Sequence, residues 1–225
     1  MRCGINICAD IWETGAAEKA HAAGAQLLLV LNASPCHLEK HQQRAQVLGE
    51  RIAATGIAAI YANLVGGQDE LVFDGASFAL DANGKCCMRL PAFEEALGIV
   101  DFDTGRLRSD QMASELTVEA EAYQALVLGV RDYIGKSGFK GAIIGLSGGI
   151  DSALTLCVAV DALGAEKVRA VMMASPYTAQ MSLDDSRAMI AALGVRYDEI
   201  PIAPAMQTYD ALLAPMFAGL PADTT

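Results

Sequence analysis

The 225-residue chain lacks several things that would have set its class at once. It has no run of Lys and Arg. Its 16 basic residues face 27 acidic ones, for a net charge of −11, so the surface as a whole repels nucleic acid. A phosphate-bearing ligand therefore needs a local site built from backbone N–H groups. No apolar run approaches the length of a membrane span; stretches such as 27–31 and 142–146 are far too short. The N-terminus shows no basic segment followed by an apolar core, so no secretory leader is expected. The six Cys, at 3, 8, 36, 86, 87 and 157, fit no zinc spacing. Without a leader they read as reduced thiols of a cytoplasmic protein. Internal repeats are absent too.

What is present is a core. Hydrophobic residues make up 53% and charged residues 19%, which excludes a disordered chain. Abundant Ala and Gly suit close helix–sheet packing. Strands are expected over 2–7, 26–32, 57–63 and 77–80, and helices over 14–23 and 37–55. Gly66-Gly67 reads as a turn, and Asp81-Ala-Asn-Gly84 as the turn of a hairpin into 85–90. That order describes a layered α/β unit with hairpins. Residues 101–116 are polar, without a sustained apolar period, and read as a linker. Beyond it, a helix over 118–136 precedes strand 142–146, helix 152–163, strand 168–174, helix 183–193 and strand 196–200. This β-α-β-α-β order predicts a parallel, nucleotide-type sheet.

The strongest motif is Gly145, Leu146, Ser147, Gly148, Gly149, Ile150, Asp151, Ser152, between a strand and a helix. Small residues let the backbone approach an anion, and unpaired N–H groups at the helix start favour negative charge. Ser147 and Ser152 add hydroxyls. The Asp151 carboxylate suits a Mg²⁺ bridging phosphate oxygens. The loop lacks the Lys of a Walker A sequence and the spacing of a dinucleotide fingerprint. It resembles the SGGxDS loop of N-type ATP pyrophosphatases, which cleave ATP between the α and β phosphates. The stretch Ala174-Ser-Pro-Tyr-Thr-Ala-Gln-Met-Ser-Leu-Asp-Asp-Ser186 is similar to that of NAD synthetases within this group. The resemblance brings Gln180 and Ser182 near ATP. A plain helix cap by Ser182, with Asp185 three residues on, accounts for that pair as well.

A second candidate is Cys8, in Ile5-Asn-Ile-Cys-Ala-Asp-Ile-Trp12, where a strand ends. A nucleophile there is exposed at a sheet edge, with N–H groups following that can hold an oxyanion. By position alone a buried structural thiol explains it too. The segment is similar to the nucleophile region of nitrilase-type amidases. Further stretches, Asn32-Ala-Ser-Pro35, 63–77 and Pro91-Ala-Phe-Glu94, resemble the glutaminase domain of glutamine-dependent NAD synthetases. The resemblance implies Cys8 as nucleophile, with Ser34 and Lys40 on the α-amino and carboxylate groups of glutamine. Lys40 also reads as a solvated helix residue. His21, His37 and His41 match no catalytic position of such enzymes and are expected as surface residues on helices.

The whole chain is thus expected to join the C-terminal part of a nitrilase-like α/β sandwich (1–100) to the N-terminal part of an ATP pyrophosphatase domain (117–225). The implied activity is that of a ligase: amidation of nicotinate adenine dinucleotide to NAD with ATP, Mg²⁺ and ammonia from glutamine, by a homo-oligomer without nucleic-acid or membrane partners. Three departures accompany the resemblance. Ala9 stands where the family usually has Glu, but its N–H serves an oxyanion regardless of side chain. The catalytic Glu and Lys of the family lie upstream of the nucleophile, and residues 1–7 hold neither. Much of the family's acceptor site lies downstream of Thr225. The start at Met1 and the polar end 221–225 are therefore expected to reflect truncation, with neither activity complete. A standalone amidase and a non-catalytic remnant are the alternatives; the intact 145–152 loop argues against the first, and the missing Glu and Lys motivate the second.

Overall fold

A computed structural model describes residues 1–103 and 105–219. The polar end at 221–225 lies outside the described residues. The chain divides into two compact units, 1–136 and 137–225.

The first unit opens with β1 (Cys3–Ile7), a short 3-10 turn (Cys8–Ile11), α1 (Ala16–Ala22), β2 (Leu27–Asn32), α2 (Lys40–Thr55) and β3 (Ala58–Asn63). Then come β4 (Val65–Gln68), β5 (Leu71–Asp74), β6 (Phe78–Leu80), β7 (Cys86–Arg89), β8 (Asp101–Asp103), β9 (Arg106–Arg108) and α3 (Val118–Lys136). The main sheet has the order β1-β2-β3-β6-β7. Its first three strands are parallel, and the last two join antiparallel. This is the expected layered unit with hairpins.

The apolar run of β2 is explained by burial on both faces, with alternate side chains going to opposite sides. Leu28 and Val30 pack with Leu48, Ile52, Ala59 and Tyr61 under the helices. Leu27 packs with Ala58, Ala79, Met88 and Leu107 on the other face. Helix α2 buries Arg44, Leu48, Ile52 and Thr55, a stripe at helical spacing, and ends at Gly56 in the left-handed conformation (φ 68°). Three parallel strands end at one edge of the sheet, so the residues following each are brought together there.

Two expectations for this unit need correction. Gly66 and Gly67 are not a turn but lie inside β4; the chain reverses after Gln68, with Asp69 at φ 52°. The reason is tertiary. Helix α3 approaches so closely that a Cβ on Gly67 would lie 3.0 Å from Asp132 Cβ and 3.4 Å from Gly129 Cα. The segment 101–116 is not an open connection either. It forms the β8–β9 hairpin and buries Leu107 against the sheet, and Gln111 and Ala113 hydrogen-bond to Arg89 through the backbone.

Helix α3 grips β4 by its backbone. The Asp132 carboxylate accepts the Gly67 N–H at 2.7 Å, and Lys136 Nζ donates to the Gly67 carbonyl at 2.6 Å. Burial pushes the Asp132 carboxyl up, but the Gly67 N–H and Lys136 outweigh this and hold it below its ordinary 3.8. A depressed folded-state pKa contributes stability above that ordinary value and loses it as pH falls. Asp132→Ala is therefore expected to destabilise the first unit by about 1–3 kcal/mol at pH 7. In urea titrations the difference from the parent chain should shrink as the pH is lowered to 3.

The second unit holds β10 (Ala142–Gly145), α4 (Ile150–Leu163), β11 (Val168–Ala174), α5 (Gln180–Leu193), β12 (Arg196–Pro201) and α6 (Ala203–Leu213). The strands pair in the order β10-β11-β12, all parallel. Leu146, Leu156, Ala159, Val168, Ala170 and Val195 form the core. The β-α-β-α-β order is as expected, and α6 extends it. Among the described residues, no helix is long and apolar enough to cross a membrane.

Candidate functional site

At the carboxyl edge of the main sheet, Cys8 follows β1 directly. Its backbone has φ 45°, an unfavourable conformation for a residue with a Cβ, costing on the order of 1–3 kcal/mol. The turn is held by Asp10, which accepts the Ile7 N–H at 2.9 Å, and by the Ala9 carbonyl, which accepts the Trp12 N–H at 2.9 Å. The result is an exposed thiol at the rim of a cavity of about 210 Å³. Trp12, Asn32, Ser34, His37 and Lys40 line the same cavity. The structure thus brings Cys8, Ser34 and Lys40 together. Lys40 is not simply solvated: its Nζ lies 4.4 Å from the centre of the Trp12 ring, a cation–π contact.

The loop carrying Ser34 is fastened from beneath. Arg44 is 2% exposed; its NH1 donates to Asp74 at 2.6 Å, and Asp74 is also 2% exposed. The rest of the guanidinium donates to Ser34 Oγ at 3.1 Å, the Ser34 carbonyl at 3.0 Å and the Pro35 carbonyl at 3.1 Å. Asn63, at the end of β3, accepts the Ser34 N–H at 2.9 Å. Sequence reasoning missed this group. One signal was available: Arg44 falls four residues before Leu48 and eight before Ile52, on the buried face of α2.

The histidines divide. His21 is exposed on α1, as expected. His37 precedes α2 in an irregular stretch and lines the Cys8 cavity, so it is not a helix-surface residue. His41 is half-buried, with Nδ1 3.9 Å from the Glu121 carboxylate. Cys36, two residues after Ser34, is unlike Cys8: burial, with Asp74 and Glu121 nearby, pushes its thiol up to about 11. It stays protonated at neutral pH and is a poor nucleophile.

In the second unit, residues 145–152 cap β10 and start α4. Gly148 has φ 79°, and Gly149 is the N-cap of α4. The Ser147 and Ser152 hydroxyls lie 3.0 Å apart, Ser152 Oγ donates to the Gly149 carbonyl at 3.0 Å, and the Gly149 N–H donates to Ser147 Oγ at 3.3 Å. Leu146 is the member of the loop whose side chain does not belong to a site. It is 3% exposed and sits in the core, and its N–H is taken by the Val171 carbonyl. Ile150 and Asp151 are exposed at the start of the helix. Gln180 opens α5 and donates to Asp184 at 2.8 Å. Ser182 is not the helix cap; Ala179 is. Ser182 packs instead against the loop, where a Cβ on Gly148 would lie 2.5 Å from its Cβ.

Two different families match successive parts of the chain. The carbon-nitrogen hydrolase family matches residues 1–111, and the NAD synthase family matches residues 122–220. Single relatives match across both stretches. The glutamine-dependent NAD(+) synthetase of Acinetobacter baylyi is 42% identical over 99% of this chain and 41% of that protein. The one from Rhodobacter capsulatus is 44% identical, over 99% of this chain and 41% of its own length. The structure of glutamine-dependent NAD+ synthetase from Acinetobacter baumannii, in complex with ADP, matches with a TM-score of 0.94 at 43% identity, over 98% of this chain and 42% of that one. Over nearly its whole length the chain is similar to glutamine-dependent NAD(+) synthetases, and it spans about two-fifths of the length of these relatives.

Proposed function

We propose that the chain carries the glutamine nucleophile site and the ATP phosphate loop of an enzyme that amidates nicotinate adenine dinucleotide to NAD. The observation that carries this reading is the meeting of Cys8, Ser34 and Lys40 in one cavity at the carboxyl edge of the sheet. In the first unit, the Cys8 thiolate adds to the side-chain amide carbon of glutamine. The C–N bond breaks, ammonia leaves with a proton, and water then hydrolyses the thioester to glutamate. The N–H of Ala9 holds the oxyanion, while Ser34 and Lys40 bind the amino-acid end.

In the second unit, the backbone of 145–152 holds ATP phosphates, with Gln180 beside the nucleotide. ATP adenylates the nicotinate carboxylate, pyrophosphate leaves, and ammonia displaces AMP. Among the described residues no group of three His, Cys, Asp or Glu could hold a metal ion. Asp151 supplies one hard oxygen, which fits Mg²⁺ held mainly by phosphates. When bound, Mg²⁺ offsets phosphate charge. Functionally we divide the chain into 1–100, a connecting segment 101–116, and 117–225, although α3 packs on the first unit. The whole enzyme is read as a cytoplasmic homo-oligomer.

The test of the first site is covalent capture by a chloroketone analogue of glutamine, with peptide mapping. Labelling is expected at Cys8, saturable and blocked by L-glutamine, with Cys36 untouched. Equal labelling of the exposed Cys3 and Cys8 without glutamine protection would overturn it.

A further inference from the structure

Arg44 has no place in the chemistry proposed above, yet it is among the most deeply buried side chains of the chain. It sits on α2 one turn after Lys40, facing inward. Asp74 neutralises it at 2.6 Å, and Asn63 Nδ2 also reaches Asp74 at 3.3 Å. A guanidinium only donates, through a planar fork. Here the fork is spent on one short segment: Ser34 Oγ, the Ser34 carbonyl and the Pro35 carbonyl.

Consider what this leaves to Ser34. Its N–H is taken by Asn63, its carbonyl by Arg44 and Asn63, and one hydroxyl lone pair by Arg44 Nε. The buried Tyr61 hydroxyl has Ser34 and Asn32 as its polar neighbours. The Ser34 hydroxyl proton can rotate between the Tyr61 hydroxyl and a ligand in the cavity. A hydroxyl that accepts from a cation is a stronger donor, and Ser34 lines the Cys8 cavity.

We infer that Arg44, held by Asp74, is a positioning residue. It fixes Ser34 as a hydrogen-bond donor toward the carboxylate of an α-amino acid bound beside Cys8. The inference rests on reading that cavity as a glutamine site, and adds the device that makes it selective for the amino-acid end of the ligand. Lys at position 44 would keep the charge but could not hold Oγ and two carbonyls in one plane.

The experiment is a double-mutant cycle on chloroketone capture of Cys8, each rate divided by that for iodoacetamide, which has no amino-acid end. Arg44→Lys and Ser34→Ala are each expected to raise the half-saturating concentration about tenfold, the scale of one hydrogen bond to a charged group. Together they should still raise it only about tenfold, because Arg44 acts through Ser34. An unchanged value in R44K, or a product near a hundredfold in the double variant, would overturn the inference. A second measurement needs no variant. The Arg44 Nε–H resonance should move on adding L-glutamine and stay put with acetamide; no movement with glutamine overturns the inference as well. The two readings fail differently. If the parent chain shows no glutamine-protected labelling, the site itself is misread, and Arg44 falls with it. If protection is intact and R44K behaves like the parent, only the role of Arg44 is lost.

Discussion

Cys8→Ser is expected to reduce chloroketone capture to background, by at least about 10³-fold, the scale of loss when a covalent nucleophile is removed. The analogue reports the relevant chemistry because a thiolate displaces chloride from it: the C–S bond forms and chloride leaves with the electron pair. Cys36→Ser should leave capture unaffected, since that thiol is pushed up to about 11 and stays protonated. Lys40→Met tests recognition separately. It removes the cation lying against Trp12, and should weaken half-saturation by about 10–100-fold while iodoacetamide still reacts with Cys8. If Cys8→Ser retained glutamine-protected capture, the nucleophile would lie elsewhere.

Gly148→Ala is expected to have the largest effect in the second unit. Two costs combine. The residue sits at φ 79°, where a Cβ is disfavoured by roughly 1–2 kcal/mol. That Cβ would also lie 2.5 Å from Ser182 Cβ and 2.6 Å from its Cα, so the backbone of loop or helix must shift, at a further ~1–3 kcal/mol. The sum is about 2–5 kcal/mol of unfolding stability, measured by urea titration of far-ultraviolet circular dichroism. ATP affinity should fall about tenfold or more, because the amides of the loop move with it. Gly149→Ala is the contrast for stability: at φ −91°, its Cβ meets only Ser147 Oγ at 3.4 Å, so the cost should stay under about 1 kcal/mol. Equal destabilisation by the two substitutions would mean that contact with Ser182 does not set the loop.

The sequence was most informative where local signals and fold agree. The 145–152 loop was legible because small residues, a preceding apolar strand and a following helix coincide. Cys8 was legible as the end of β1, and the structure adds the φ of 45° that local pattern does not encode. Arg44 was hidden by its type: on a helix rich in Gln, Arg and Glu it looks solvated, and its partners Ser34 and Asp74 are 10 and 30 residues away. Gly66-Gly67 misled for a related reason. A glycine pair signals a turn locally, but here glycine serves the approach of α3, more than sixty residues later. Leu107 shows the same limit, since a single apolar residue in a polar stretch carries no period, yet docks that stretch on the core.

Peptide-resolved hydrogen exchange on the intact chain, with L-glutamine and with ATP and Mg²⁺ in turn, tests the two-site account most directly. Glutamine should protect 5–13 and 32–40, and ATP with Mg²⁺ should protect 145–152 and the start of α5. Protection by neither ligand, or protection confined to other segments, would contradict it.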